Sequence, residues 1–301
     1  MSTTISSINE SLVDQKVVAA LRYILPMFRS FSYAVEMNGK IKDDTMYVPI
    51  ATDPTAGVKT LGTMKAADGT IAGVSVSLAN PLAAGWDATE GNIAGNLFAN
   101  YWADKAAGAV YAVAKGVIDA ALGVVTKAHF GDGQGTDKLI VAPADFGQED
   151  LGLLWKLGAK KIKQREISLG LNASYAASLI GNAAIANIFS SNGTNFLQSG
   201  ILPQLIGMNT WAYPAFPANS ESLGGALFGR AAIVVAVAPI SPLAAAGEGN
   251  IVDRRIITEP DSGISCLYTV TVDGGGLVWG EVAVLYGVDK GHDACVRLVE
   301  A

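Results

Sequence analysis

Histidine is almost missing from this 301-residue sequence, which holds only His129 and His292. Histidine is the commonest general base, so proton-transfer chemistry has few places to reside. Cysteine is equally scarce, with Cys266 and Cys295 alone. Two cysteines so far apart give neither a disulfide framework nor zinc-type spacing. Both lie in apolar, strand-like stretches and are expected as buried free thiols in a chain made in a reducing cytoplasm. Charged residues make up 16% of the chain, against about 25% in an ordinary globular protein. Surface without charge is often contact surface, so extensive contacts between copies are expected. With 21 basic and 27 acidic residues, the net charge is -6. That balance lacks the basic stripe of a sequence-reading nucleic-acid binder. It does not exclude lying beside DNA without gripping it, because weak negative charge repels phosphate and leaves the polymer free to move.

Long apolar runs are also lacking. The most apolar stretch, residues 231–239, is bounded by Arg230 and falls far short of the ~20 residues of a membrane span. Residues 1–10 carry no basic side chain and Arg22 interrupts the first apolar stretch, unlike a secretory signal. No G-x-S-x-G elbow occurs. The glycine-rich loop at 131–137 lacks the Lys-Ser/Thr of a phosphate loop and the acidic positions of a calcium loop, so it reads as a turn. Glu149 and Asp150 fall in the first turn of an expected helix, where negative charge is favourable. Asp43 and Asp44 pair without other catalytic company. Two glycosylation-type triplets, at Asn172 and Asn192, carry no meaning without a secretory signal. No catalytic residue, cofactor site or metal site is assigned, and the chain reads as a non-enzyme. The enzyme alternative would centre on His129 and Asp132.

What is present is a change of periodicity along the chain. Residues 9–31 place Leu12, Val13, Val17, Leu21, Ile24, Leu25 and Phe28 at helical spacing, and Pro26 is expected to kink or end that helix. Standing alone, such a helix must pack on something else. From 43 to 80 the period becomes two. Met46, Val48 and Ile50 alternate with Tyr47 and Pro49, and Val74, Val76 and Leu78 with Ser75, Ser77 and Ala79. Turn signals lie between them at Asp53-Pro54, Gly57, Gly62 and Asp68-Gly69. A lone two-stranded arm is marginal in water, so it is expected to need a neighbouring copy. Residues 96–126 then form a long, nearly uncharged helix interrupted by Gly108, Gly116 and Gly123. Each glycine costs about 1 kcal/mol relative to Ala, which close packing of another backbone would offset.

Beyond it, strands are expected at 138–142, 165–171 and 201–208, and helices at 147–161 and 173–180. Pro214, Pro217 and residues 219–222 mark a surface loop. Residues 226–238 start helical or irregular and become a buried strand. Strands at 255–259, 267–272, 278–286 and 294–299 follow, two of them joined by the hairpin signal at 273–276. The class is α+β with interleaved segments. Trp211, Tyr213 and Phe216 are expected to pack in a core or between copies.

Read in order, these segments resemble the major capsid protein of tailed bacteriophages, a fold shared with encapsulin shells and the herpesvirus capsid floor. Phe31-Ser32-Tyr33 and residues 42–50 resemble the passage from an N-terminal arm into an extended loop, with residues 74–78 as its return strand. Residues 96–126 fall where that family keeps its spine helix. Residues 165–175 are similar to the strand and helix of the axial domain, and 200–207 with 231–236 to its sheet. Asp261 to Ile264 with Tyr268, and 280–287, are similar to the closing peripheral strands.

The resemblance implies an arm at 1–42, an extended two-stranded loop at 43–86, a peripheral domain at 87–138 and 254–301 and an axial domain with a mixed sheet at 139–253. It implies hexamers and pentamers tiling an icosahedral shell around double-stranded DNA, in a virion assembled in the host cytoplasm. A separate scaffolding protein, a portal and decoration proteins are the implied partners, with no membrane. Inter-subunit contacts are expected at Leu21, Phe28, Tyr47, Val58, Leu61, Met64, Trp86, Trp211, Tyr213 and Phe216. An encapsulin-like nanocompartment holding a cargo enzyme is the alternative of the same fold.

Overall fold

Helix α1 (Glu10–Phe31) starts at Asn9, whose side-chain oxygen accepts a hydrogen bond from the Leu12 amide at 3.2 Å. That cap satisfies one of the free donors of a helix start. The computed structural model describes residues 9–32, 41–42, 45–51, 71–88, 96–131, 137–162, 166–182, 205–214, 216–240, 250–261, 264–272, 274 and 277–301. Strands β1 (Ile41–Lys42), β2 (Thr45–Ala51), β3 (Ile71–Ser77) and β4 (Asn80–Ala88) lead to helix α2 (Asn96–Gly123) and the short α3 (Lys127–Phe130). Then come β5 (Lys138–Ile140), α4 (Gln148–Lys161), β6 (Ile167–Asn172), α5 (Ala173–Gly181), β7 (Asn209–Tyr213), β8 (Leu223–Gly229) and β9 (Ile233–Ala238). The chain closes with β10 (Asn250–Thr258), β11 (Ser265–Val272), β12 (Val278–Lys290) and β13 (Cys295–Val299).

Val13, Val17, Leu21, Phe28 and Phe31 form the buried stripe of α1, and the helix lies along α2. The first helix therefore has its partner within the chain. It also runs through Pro26 to Phe31 rather than ending there. An interior proline costs about 3 kcal/mol. Burying Phe28 and Phe31 beyond it, at roughly 1.5–3 kcal/mol each, offsets that cost. Ion pairs set the register of α1. Arg255 of β10 reaches Glu10 at 2.9 Å, Asp14 at 3.0 Å and its own neighbour Asp253 at 3.1 Å. Arg22 pairs at 2.8 Å with Glu259, whose side chain is fully buried. Burial holds the Asp253 carboxyl above the usual carboxylate range, against the pull of Arg255.

Helix α2 is the core of this half of the molecule. The stretch Ala99–Gly123 has the length and apolarity of a membrane span, but here Trp102, Ala106, Val110, Val113, Val117 and Leu122 are buried in protein. It ends at Gly123, before the expected 126, and Thr126 begins α3 by accepting a hydrogen bond from the His129 amide. The three glycines of α2 differ. A Cβ on Gly108 or Gly123 would meet nothing within 4 Å, whereas one on Gly116 would lie 2.7 Å from Leu82 Cδ2 of β4. Gly116→Leu is expected to lower stability by about 1–3 kcal/mol through overpacking. The urea midpoint reads this, and an unshifted midpoint would show that Leu82 swings clear.

A five-stranded antiparallel sheet covers α2. Its order is β10-β11-β12-β4, with β9 also paired to β12. Leu285 and Tyr286 pair with both β4 and β9, so those two strands lie on opposite edges of β12. Strand β4 was not expected from the sequence. It is legible only as the partner of β12, because Pro81 and Gly85 mask its strand character. Trp86 sits edge-on to Trp102 at 5.3 Å, and the Trp102 indole N–H donates to Tyr268 Oη at 2.7 Å. Cys266 and Cys295 are free and buried as expected, with both thiols pushed up to about 12 by burial.

The second sheet runs β5-β13-β8-β6-β7, with β5 parallel to β13 and β7 parallel to β6. Strand β8 occupies its centre and is buried throughout. The expected helical or irregular start at 226 is therefore a strand, because Leu223 to Gly229 pairs on both edges. Residues 205–208 are a tight turn, with Ile206 at φ 49° and Gly207 at φ 77°, and residues 201–204 of that expected strand lie outside the described residues. Trp211 and Tyr213 belong to β7.

The ribbon has three strands, β1-β2-β3. Its alternation is as the sequence implies: Met46, Val48, Ile50, Val76 and Leu78 are buried, while Tyr47, Ser75 and Ser77 are exposed. The buried side packs on Ala231, Val234, Ala236 and Ala238 of the same chain. The expectation that the whole ribbon lacks an internal partner is thus corrected at its base. Its turn region, residues 52–70, lies outside the described residues.

Candidate assembly surfaces

The expected contact residues divide once placed. Leu21, Phe28, Trp86, Tyr213 and Phe216 are buried within the chain, which leaves them no surface for a neighbour. Their apolar character was legible, but not what covers it. Phe28 and Leu21 face the α2 seam, where only a cavity of about 30 Å³ remains. Tyr213 donates its hydroxyl to Asp119 Oδ1 of α2 at 2.6 Å, and burial pushes the phenol well above its ordinary value. Trp211 is half-buried, stacked between Phe216 at 5.9 Å and Phe228 at 6.2 Å, with Phe31 of α1 at 6.3 Å. These rings bind the end of α1 to the β8 sheet. Trp211 keeps its indole nitrogen buried without a hydrogen-bond partner among the described residues. Val58, Leu61 and Met64 lie outside the described residues.

Among the seven that are described, Tyr47 alone is largely exposed, at 55%. Its ring lies across Gly73 on the outer face of the ribbon, where any Cβ would fall within 2 Å of it. The exposed apolar side chains that the sequence reading missed are elsewhere. Ile251, Ile256 and Trp279 open from one face of the β10–β12 sheet; Ile140, Leu153 and Trp155 open around β5 and α4; Tyr23 opens from α1. Trp279 had a local signal, since it alternates with buried Val278 and Gly280. The others depend on which faces of the sheets and helices the fold leaves uncovered. Strands β10, β4, β5 and β7 end the paths of the two larger sheets, and such edges present unpaired backbone groups.

A cleft of about 550 Å³ lies beside β7, lined by Tyr23, Arg29, Glu166, Ser168, Trp211 and Arg230 among others. Arg230 pairs with Glu166 at 3.4 Å, both groups at least half exposed. Arg29 has no ion-pair partner among the described residues. Among the described residues chemistry is not concentrated anywhere. Among the described residues no group of three or more His, Cys, Asp or Glu could hold a metal. His129 lies 2.8 Å from the Val124 carbonyl through Nδ1 at the surface, and Asp132 lies outside the described residues. His292 sits at the surface turn before β13.

No family model matches the chain. No curated protein matches it in sequence. Solved structures do. The capsid of Ralstonia phage GP4 superposes with a TM-score of 0.54 at 12% identity, covering 90% of this chain and 89% of that one. The capsid of the cyanophage P-SCSP1u superposes with a TM-score of 0.52 at 10% identity, covering 90% and 86%. Alignment over nearly the full length of both partners means that the α+β arrangement as a whole is shared.

Proposed function

We propose that this chain, which has the fold of phage capsid proteins, is the major capsid protein of a tailed bacteriophage. Copies assemble as hexamers and pentamers into an icosahedral shell around double-stranded DNA. The observation that carries the reading is the superposition on the GP4 capsid over 90% of the chain. The composition and the surfaces support it. Low charge, two open-edged sheets and exposed Trp, Tyr and Ile on several faces suit a subunit covered on many sides by sister copies. A net charge of -6 suits an inner wall that lets DNA slide past.

In this reading the β10–β12 sheet with α2 forms the peripheral part, the β5–β7 sheet with α4 and α5 the axial part, and the ribbon the extended loop. The role is structural rather than enzymatic. Assembly takes place in the host cytoplasm with a scaffolding protein and a portal, and decoration proteins are compatible with the exposed apolar faces.

Electron microscopy and sedimentation of the expressed chain test this directly. Closed shells or capsomers are the expected result, with DNA inside particles from an infected host. A strictly monomeric profile under all assembly conditions overturns the reading, and a protein cargo in place of DNA converts it to a nanocompartment. Deleting residues 54–67 is expected to leave a folded subunit with its normal circular dichroism but no shells, since the ribbon base is held internally without them. Normal particles from the deletion would remove the turn region from assembly.

A further inference from the structure

We propose that the sheet β5-β13-β8-β6-β7 carries both halves of one contact between neighbouring copies: the cleft beside β7 receives the acidic turn between β5 and α4 of the next copy. The proposal rests on the shell reading above and names the surfaces that make one of its contacts. Strands β5 and β7 are the two outer strands of the sheet, with three strands between them. At about 4.8 Å per strand they stand some 19 Å apart, on opposite flanks.

The two flanks differ in charge. The β7 cleft offers Arg29 and Arg230 against one carboxylate, Glu166. The existing Arg230–Glu166 pair is long and exposed, and such pairs contribute little and exchange readily. Arg29 has no competing carboxylate among the described residues. The turn after β5, which packs on α5 through Phe146 against Tyr175 at 5.2 Å, presents Asp145 and Glu149, both exposed, while β5 itself begins with the half-buried Lys138. Asp150 is already used, accepting a hydrogen bond from the Gly147 amide at 3.0 Å. The nearest lysine along α4, Lys156, lies about two helical turns further on. Apolar surface accompanies the charge on both sides. Tyr23 is 73% exposed at the cleft, and Ile140 and Leu153 are 54% and 47% exposed on the other flank.

A contact between two β7 clefts would set Arg29 against Arg29, and a contact between two of these turns would set acid against acid. Joining cleft to acidic turn is head-to-tail, and head-to-tail contacts repeated by rotation close into rings. Opposite charges across such a contact fix partner choice and register more than they add affinity.

Charge reversal tests this in the full chain. One variant carries Arg29→Glu with Arg230→Glu; a second carries Asp145→Lys with Glu149→Lys. All four positions are exposed, so melting temperature and circular dichroism should stay near wild type. Each variant alone is expected to lose at least about tenfold of its particle yield in sedimentation, because like charges then face each other. The chain carrying all four changes is expected to recover closed shells. Mixing the two variants is expected to recover only rings with an even number of subunits, since the copies must alternate. Wild-type yield from either variant alone, or failure of the fourfold chain to recover while folded, overturns the proposal. Absence of particles from the wild-type chain would instead strike the shell reading itself.

Discussion

Arg297→Met is expected to unfold the subunit or bring it close to unfolding. Arg297 sits in β13 with no exposed surface at all. Its guanidinium forks to Asp137 through Nη2 and to Glu221 through Nη1, and its backbone amide donates to the Asp137 carbonyl at 2.9 Å. Asp137 is 4% exposed. Removing the cation leaves two carboxylates largely out of water without a partner. Breaking a buried ion pair from one side costs about 3–5 kcal/mol, against a total stability of roughly 5–15 kcal/mol for a domain.

Urea unfolding reads the loss, with an expected midpoint shift matching that figure. Arg297→Lys should lose much of the same stability, because an ammonium cannot reproduce the planar fork to two acids. Combining Arg297→Met with Asp137→Asn and Glu221→Gln should restore most of it, since the penalty lies in the orphaned charges rather than in the lost attraction. A single Arg297→Met variant with an unmoved midpoint would mean that water reaches the site.

The second large effect falls on assembly rather than on folding. Gly287 lies in β12 opposite Ala236 of β9, where the ribbon base crosses. A Cβ there would sit 2.2 Å from the Ser77 carbonyl oxygen and 2.6 Å from Val76 Cγ1. The oxygen belongs to backbone at the end of β3, so no side-chain rotation relieves the clash. Gly287→Val is expected to push the ribbon off its seat on Val234 and Ala236, at a cost of about 1–3 kcal/mol. The sheet around β12 is paired on both edges and should survive. Folded subunits by circular dichroism with few or malformed shells by electron microscopy are the expected result. Gly108→Ala, where a Cβ meets nothing within 4 Å, is the control that should assemble normally. Wild-type shells from Gly287→Val would show that the ribbon direction is set from outside the chain.

Some of this architecture could be read directly. The period of two at 46–50 and 74–78 appears as the alternating ribbon, and the period near 3.6 at 9–31 as α1. The Val/Ile run at 233–238 is a fully buried strand. These are local patterns, because each rests on spacing between residues a few positions apart. Strand β8 escaped because Gly224 and Gly225 weaken its strand propensity, and its place between β13 and β6 is what makes it a strand. Strand β4 escaped for the same kind of reason.

The contact surface was the hardest part to read. Alternation and apolarity say that a side chain leaves water, but not which molecule removes it. Trp86, Tyr213 and Phe216 looked available for a neighbour and are covered by α2, β12 and the rest of their own core. Trp279 and Ile256, equally apolar, are left open because α2 covers the other face of their sheet. The order of strands brings together residues more than a hundred positions apart, such as Arg297 with Asp137 and Gly287 with Ser77. Chain spacing therefore determined the elements with a clear period and their wet and dry faces. Only the tertiary pairing decided which apolar faces the chain covers for itself and which it leaves exposed.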